Sequence, residues 1–274
     1  MSLTSKRFLK YGTTALVTGA SSGIGESFAR RLAAEGFSTI VLVARRADRL
    51  EELAKKLESD FGCRTVAVAL DLAEQDSVRK LSHRLLELGC EVDFVVNNAG
   101  FGLLGALETL ASERVSAMVD LNCRAVAEIA RCFISGMKQR GRGAMVITSS
   151  VVGAVPAPWF SVYAATKAFD LYLGEALFAE NRGTGVDVVT VLPGLTKTEF
   201  HAGLGNRDYH SPYRTPEQVV ASALGALGRK PIVVDGMLNK LLVHGSRFFP
   251  RAMMLSLSRR VMKFELKGHE AKPN

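Results

Sequence analysis

Tyr163 and Lys167 stand four residues apart in Ser161-Val-Tyr-Ala-Ala-Thr-Lys167, a spacing that sets a phenol and an ammonium on one face of a helix. A free tyrosine ionises near pH ~10, too high to trade protons readily at neutral pH. A cation beside it favours the phenolate and is expected to draw that value down toward the working range. Tyr-x-x-x-Lys is also common on solvated helix faces, so the pair needs support from elsewhere in the chain. Ser150 lies thirteen positions upstream of Tyr163, just behind the apolar run Ala144-Met-Val-Ile-Thr148. A glycine-rich loop, Thr18-Gly-Ala-Ser-Ser-Gly-Ile-Gly25, sits near the N-terminus. A phenol to move a proton, a hydroxyl to hold an oxygen and a loop to hold phosphate together suit an oxidoreductase.

The loop places Gly19, Gly23 and Gly25, with Ser21, Ser22 and Ile24 between them, where a strand should pass into a helix. Glycines let the backbone approach a pyrophosphate closely, and free N–H groups at the helix start face the anion. The end of the second strand then selects the dinucleotide. An acidic residue there holds a ribose 2′-hydroxyl, whereas a 2′-phosphate needs positive charge. The chain reads Val43-Ala44-Arg45-Arg46, with no carboxylate before Asp48. Arg45 is the main candidate for bidentate phosphate recognition, with Arg46 or the Ser21 hydroxyl assisting. Asp48 fits better as a helix N-cap than as a ribose ligand, so NADP(H) is the expected cofactor.

These residues need a scaffold, and short β-rich runs alternating with helical patterns supply one. Strands are expected at Thr14–Thr18, Thr39–Ala44, Thr65–Leu70, Phe94–Asn97, Ala144–Ser149, Asp187–Leu192 and Ile232–Val234. Most are apolar nearly throughout, as strands covered on both faces should be. Ile24, Phe28 and Leu32 recur on one helix that Gly36 should end, and Leu50, Leu53, Ala54 and Leu57 mark the next. No repeat or linker interrupts the series. The expectation is an α/β, Rossmann-type doubly wound parallel sheet of about seven strands in a single domain. Residues 1–228 would form the cofactor-binding and catalytic core, and residues 229–274 the last strand with a helical C-terminal extension.

Composition excludes several alternatives. The chain has 274 residues, 47% hydrophobic and 23% charged, ordinary for a globular protein. No apolar run approaches the ~18–20 residues of a membrane span, and the basic N-terminus lacks the apolar core of a signal peptide. Cys63, Cys90, Cys123 and Cys132 show no paired metal spacing and read as reduced thiols in the cytoplasm. The five histidines form no ligand cluster, so no metal is expected. The net charge of +8 is uneven: residues 229–274 carry ten Lys/Arg against three acidic residues, which leaves residues 1–228 at +1. This basic tail holds no recognisable nucleic-acid recognition module.

With these features assembled, the chain resembles the short-chain dehydrogenase/reductase family across nearly its first 200 positions. The matching residues come in the family's order: Thr18–Gly25, Asp71-Leu72, Asn97-Asn-Ala-Gly100, Asn122, Ser150, Tyr163 with Lys167, and Pro193-Gly194 followed by Thr198. The resemblance implies that Tyr163 is the general acid in reduction and the base in oxidation, while Ser150 binds the substrate oxygen. It gives Lys167 two tasks, tuning Tyr163 and holding the nicotinamide ribose, and gives Asn122 a water that links Lys167 to solvent. Asp71 and Leu72 become adenine contacts. Asn98, Ala99 and Gly100 line the cofactor, as do Pro193 and Gly194, and Thr198 contacts the nicotinamide or a phosphate. A second reading is a dinucleotide-binding regulator or scaffold without catalysis. The complete set Asn122, Ser150, Tyr163 and Lys167 argues against it.

Around the reacting carbon the sequence offers Val151, Val152, Ala154, Pro156, Trp159, Phe160, Leu195 and Phe200, which suits a hydrophobic ketone or secondary alcohol. The segment from Thr196 to Pro216 reads as a loop over the site. In the tail, apolar residues such as Leu241, Phe248, Met253, Leu257 and Met262 are interleaved with basic ones. Such a segment can close the pocket, pack on a partner subunit or lie peripherally on an anionic membrane. Apolar residues on several faces of the helices near Val115–Lys138 and Ala164–Asn181, among them Phe169, Leu173, Leu177 and Phe178, predict a homodimer or homotetramer.

Overall fold

The computed structural model describes residues 6–200 and 213–267. Seven strands form one sheet: β1 (Thr14–Thr18), β2 (Thr39–Ala44), β3 (Arg64–Ala69), β4 (Phe94–Asn97), β5 (Gly143–Thr148), β6 (Val186–Leu192) and β7 (Ile232–Val234). Their order is β3-β2-β1-β4-β5-β6-β7, and every pair is parallel. The expected strands are all present, with ends moved by one residue at β3, β5 and β6. The chain reverses direction across the sheet between β1 and β4. This switch point opens a crevice beyond the carboxyl ends of the strands, where ligands of such sheets bind.

Helices cover both faces. One face receives α1 (Gly23–Ala34), α2 (Ala47–Phe61) and α7 (Pro216–Ala226). Here Phe28, Leu32, Leu50 and Leu57 pack on Ala15, Val17, Ile40 and Leu42. The opposite face receives α3 (Ser77–Glu87), α5 (Ala125–Gln139) and α6 (Ser161–Glu180), whose Leu81, Ile129 and Leu177 pack on Leu16, Val41 and Met145. Adjacent β1 residues thus serve opposite cores, the two-residue alternation of a strand buried on both sides. Each such large side chain contributes about 1.5–3 kcal/mol by leaving water.

Two local expectations change. Asp48 is not the N-cap of α2: Arg46 occupies that position, and Asp48 lies in the first turn, where its charge still suits the helix dipole. Leu173, Leu177 and Phe178 are partly buried against the core, so they do not form a free face. Phe169 and Tyr172 on the same helix stay exposed, at 40% and 72%. Past β7 come α8 (Met237–Gly245) and α9 (Arg251–Lys267), the expected helical extension. No helix among the described residues is long and apolar enough to cross a membrane.

Candidate active site

Three sheet-borne segments and one helix meet at the crevice. The glycine loop leaves β1 and enters α1, with Ser22 at the cap position. Gly25 sits beneath the loop, where an added Cβ would collide with the Gly19 carbonyl. It therefore shapes the turn without lining the cavity. The Thr18 hydroxyl accepts the backbone N–H groups of Asn98 and Ala99, both at 2.9 Å, and Asn98 Nδ2 donates back to the Thr18 carbonyl at 3.1 Å. These bonds tie the end of β4 to the glycine loop and fix Asn98-Ala99-Gly100 as one wall.

Helix α6 brings Tyr163 and Lys167. It lies close to β6 because Gly174 has no side chain; a Cβ there would overlap Thr190 Oγ1. The turn after β5, Val151–Gly153, packs on the backbone of Lys167 for the same reason at Gly153. Ser149 Oγ donates to the Lys167 carbonyl at 2.6 Å. Both serines border the cavity, but the Ser149 hydroxyl is thereby committed to the backbone, whereas that of Ser150 donates only weakly, to Pro193 O at 3.4 Å. Asn122 occupies a π-helical turn, Asp120–Arg124, between α4 (Ser112–Val119) and α5. Such an extra residue in a helix commonly marks a functional position. The fully buried Asn122 amide donates to Phe101 O at 2.9 Å and Thr166 Oγ1 at 3.0 Å, and accepts from Phe101 N. It does not reach the cavity surface; it locks the Asn98–Phe101 wall to α6.

One cavity of about 590 Å³ joins these parts. At one end lie Gly19, Ser21, Ser22, Gly23 and Ile24, then Arg45, Arg46, Asp71 and Leu72. Asn98, Ala99, Gly100, Pro193 and Gly194 continue the lining, Thr198 lies beside Gly23, and Ser150, Tyr163 and Lys167 form its inner end. Every expected site residue therefore lines one space except Gly25 and Asn122, which support it from behind. Among the expected substrate contacts, Val151, Val152, Phe160, Leu195 and Phe200 line the cavity. Ala154, Pro156 and Trp159 do not: Ala154 packs against a small core under β7, and the carbonyls of Pro156 and Trp159 bond Ser258 and Gly105. Phe101, Leu104 and Arg114 join the wall, none of them singled out by the sequence, together with Met262 of the basic tail. Met262 comes from α9, and Ser258 Oγ of the same helix donates to Pro156 O at 2.6 Å, so the C-terminal extension reaches the cavity. Residues 201–212 of the expected Thr196–Pro216 loop lie outside the described residues.

The two ends differ in charge environment. Arg46 rather than Arg45 is bound to the glycine loop, donating to Ser21 Oγ at 3.0 Å and Ser22 Oγ at 2.9 Å. It also pairs with Glu199 at 2.7 Å, which Arg49 approaches at 3.8 Å. The Arg46 hydrogen bond holds the Glu199 carboxyl below the usual carboxylate range. Arg45 is 63% exposed and lies 3.9 Å from Asp71. At the inner end Tyr163 is 7% exposed and stacks on Phe160 with ring centres 4.4 Å apart. Burial raises its phenol above the ordinary tyrosine range; Lys167 and a Ser150 hydrogen bond pull the other way and do not prevail. The expected downward shift is thus reversed here, because loss of water outweighs the cation. Burial alone would lower Lys167, but Asp170 beside it holds the ammonium above the usual lysine range.

The residues present fit a dinucleotide. The turn at Gly25 admits no side chain, the loop and helix start offer backbone donors to a pyrophosphate, and the guanidiniums of Arg45 and Arg46 line the same cavity. Comparison with known proteins agrees. The family model described as short chain dehydrogenase matches residues 13–208. A 7beta-hydroxysteroid dehydrogenase of Mediterraneibacter gnavus is 32% identical over 243 residues, covering 86% of this chain and 90% of the relative. The very-long-chain 3-oxoacyl-CoA reductase-A of Danio rerio is 30% identical over 275 residues, covering 95% and 81%. A short-chain dehydrogenase from Sphingobium yanoikuyae, solved in complex with NADPH, is 33% identical with a TM-score of 0.74, covering 86% and 93%. The glycine loop, the seven-stranded parallel order and the Ser150–Tyr163–Lys167 cluster thus have one common explanation: the chain belongs to the short-chain dehydrogenase/reductase family of oxidoreductases.

Proposed function

We propose that this protein is an NADP(H)-dependent dehydrogenase/reductase acting on hydrophobic ketones and the matching secondary alcohols. The observation that carries the reading is the continuity of one cavity from the arginine-flanked glycine loop to Ser150 and Tyr163 under aromatic and aliphatic walls. Arg45, Arg46 and the serines of the loop would hold the 2′-phosphate, and Lys167 the ribose beside the reacting ring. When bound, the cofactor would supply or accept the hydride. Tyr163, like any phenol protonated at neutral pH and held further in that form by burial, would give its proton to the ketone oxygen. Ser150 would donate a hydrogen bond to that oxygen as charge develops on it. Phe160 and Phe200 exclude water around the phenol, and Asn122 keeps the opposite wall in register.

The same reading treats residues 1–274 as a single domain working in the cytoplasm, which suits four unpaired cysteines. It also expects a homo-oligomer, a dimer or tetramer, formed through exposed apolar side chains such as Val119, Phe169 and Tyr172. The deciding experiment is a panel of bulky aliphatic, aromatic and steroid ketones followed by NADPH absorbance, repeated with NADH. Turnover of at least one hydrophobic ketone, with NADPH the better cofactor, is the expected result. Binding of NADPH with no turnover across the panel would favour the regulator or scaffold instead.

A further inference from the structure

Asp170 lies three residues beyond Lys167 and seven beyond Tyr163, so all three share the inward face of α6. Its side chain is fully buried, and Oδ2 accepts from Lys167 Nζ at 2.9 Å. Oδ1 has no hydrogen-bond partner among the described residues. A half-satisfied buried carboxylate is costly, and an apolar residue of similar size would pack at less expense. Lys167 Nζ also donates to the Thr148 carbonyl at 2.8 Å. An ammonium has three N–H groups; two are thereby fixed behind the site, and one remains for the cavity that Lys167 lines.

We propose that Asp170 is a positioning residue for the reaction read above, anchoring the Lys167 ammonium and limiting how much of that cation's field reaches Tyr163. The inference rests on Tyr163 being the proton-transfer group. Few other charges compete. The π-helical turn presents Cys123, whose thiol burial and Asp170 push up to about 11, so it is neutral at working pH. Asp120 and Arg124 of that turn bond each other. Strands β5 and β7 and the turn Val151–Gly153 carry no titratable side chain. Asp187 of β6 accepts from Tyr11, Glu113 of α4 is exposed, and Arg114, the other cation lining this part of the wall, is seated over the Phe101 ring at 4.8 Å. Asp170 itself, raised to about 6 by burial against the opposing pull of Lys167, is ionised at neutral pH and acts there as a negative charge facing the dyad.

The sign follows directly. Removing that negative charge stabilises the phenolate, so Asp170→Asn, which keeps the shape and an acceptor for Lys167, should lower the titration point of Tyr163. Asp170 acts on the phenol in the raising sense, so its neutralisation displaces the titration curve toward lower pH. Two readouts carry the test. One is the pH titration of phenolate absorbance, with the Tyr163→Phe protein subtracted to isolate this tyrosine. The other is the alkaline limb of kcat/KM for ketone reduction. Both should move to lower pH in Asp170→Asn while KM for the ketone stays within about twofold. Asp170→Ser, smaller and equally neutral, should move them the same way and serves if the amide impairs folding. An unchanged phenolate titration in a folded variant, or a shift to higher pH, would overturn the proposal. The absorbance readout needs no substrate, so it stands even if the ketone panel fails and the functional reading falls.

Discussion

The glycine-loop end and the Tyr163 end of the cavity are both built on ion pairs, yet they obey different physics. Arg46 and Glu199 remain 42% and 49% exposed, so water and salt screen and weaken their attraction. Lys167 and Asp170 are 5% and 0% exposed. There a charge is felt by every neighbour, and changing one member alters the protonation of the others. The first end is suited to holding and releasing a charged ligand. The second is suited to setting where a proton resides.

That contrast can be broken most severely at Lys167. Lys167→Ala should reduce turnover by the ~10²–10⁴-fold typical of impaired acid–base catalysis and weaken cofactor binding as well. It should also strand Asp170, and removing one partner of a buried pair costs roughly 3–5 kcal/mol of stability. Denaturant unfolding should show that loss, and the double variant Lys167→Ala/Asp170→Asn should regain stability without regaining activity. A double variant no more stable than the single one would mean that the two groups are not coupled.

Smaller effects are expected at the exposed end. Arg46→Ala should weaken NADP(H) about tenfold, the low end for a charge-assisted bond, and leave NAD(H) affinity nearly unchanged. Glu199→Gln should tighten NADP(H) by a few-fold, because Arg46 and Arg49 lose the carboxylate that competes with phosphate. Both effects should shrink in titrations at high salt. Salt-independent effects of the same size would contradict the screened character of this end.

Much of this was legible in the residues. The strands stood out because β1, β2, β4 and β5 are apolar nearly throughout, and the candidate site residues because the glycine loop and Tyr163 with Lys167 follow fixed spacings. What escaped depended on depth and distance. Asp48 looked like a cap, but α2 begins two residues earlier than that would require, at Ala47. Tyr163 looked like a phenol with a lowered pKa, since spacing reveals the cation but not the loss of water from stacking on Phe160. Met262 is one of several apolar residues in the tail, and nothing in their spacing tells which of them reaches the cavity. Asp170 did leave a signal, an acidic residue in register with Tyr163 and Lys167 on an otherwise apolar helix face, and it is read only once the helix is known to be buried there.

The central claim is that Tyr163 carries the proton, and Tyr163→Phe tests it most directly because the ring and its stacking on Phe160 are retained. Burial raises the phenol, so the wild-type protein should reduce a good ketone at a steady rate through neutral pH and lose activity only on the alkaline side. Alcohol oxidation, which needs the phenolate, should rise with pH over the same range. In Tyr163→Phe, NADPH affinity and thermal stability should stay close to wild type, turnover should fall by at least ~10²-fold, and both pH limbs should disappear. Near-wild-type turnover with the limbs intact would show that another group moves the proton.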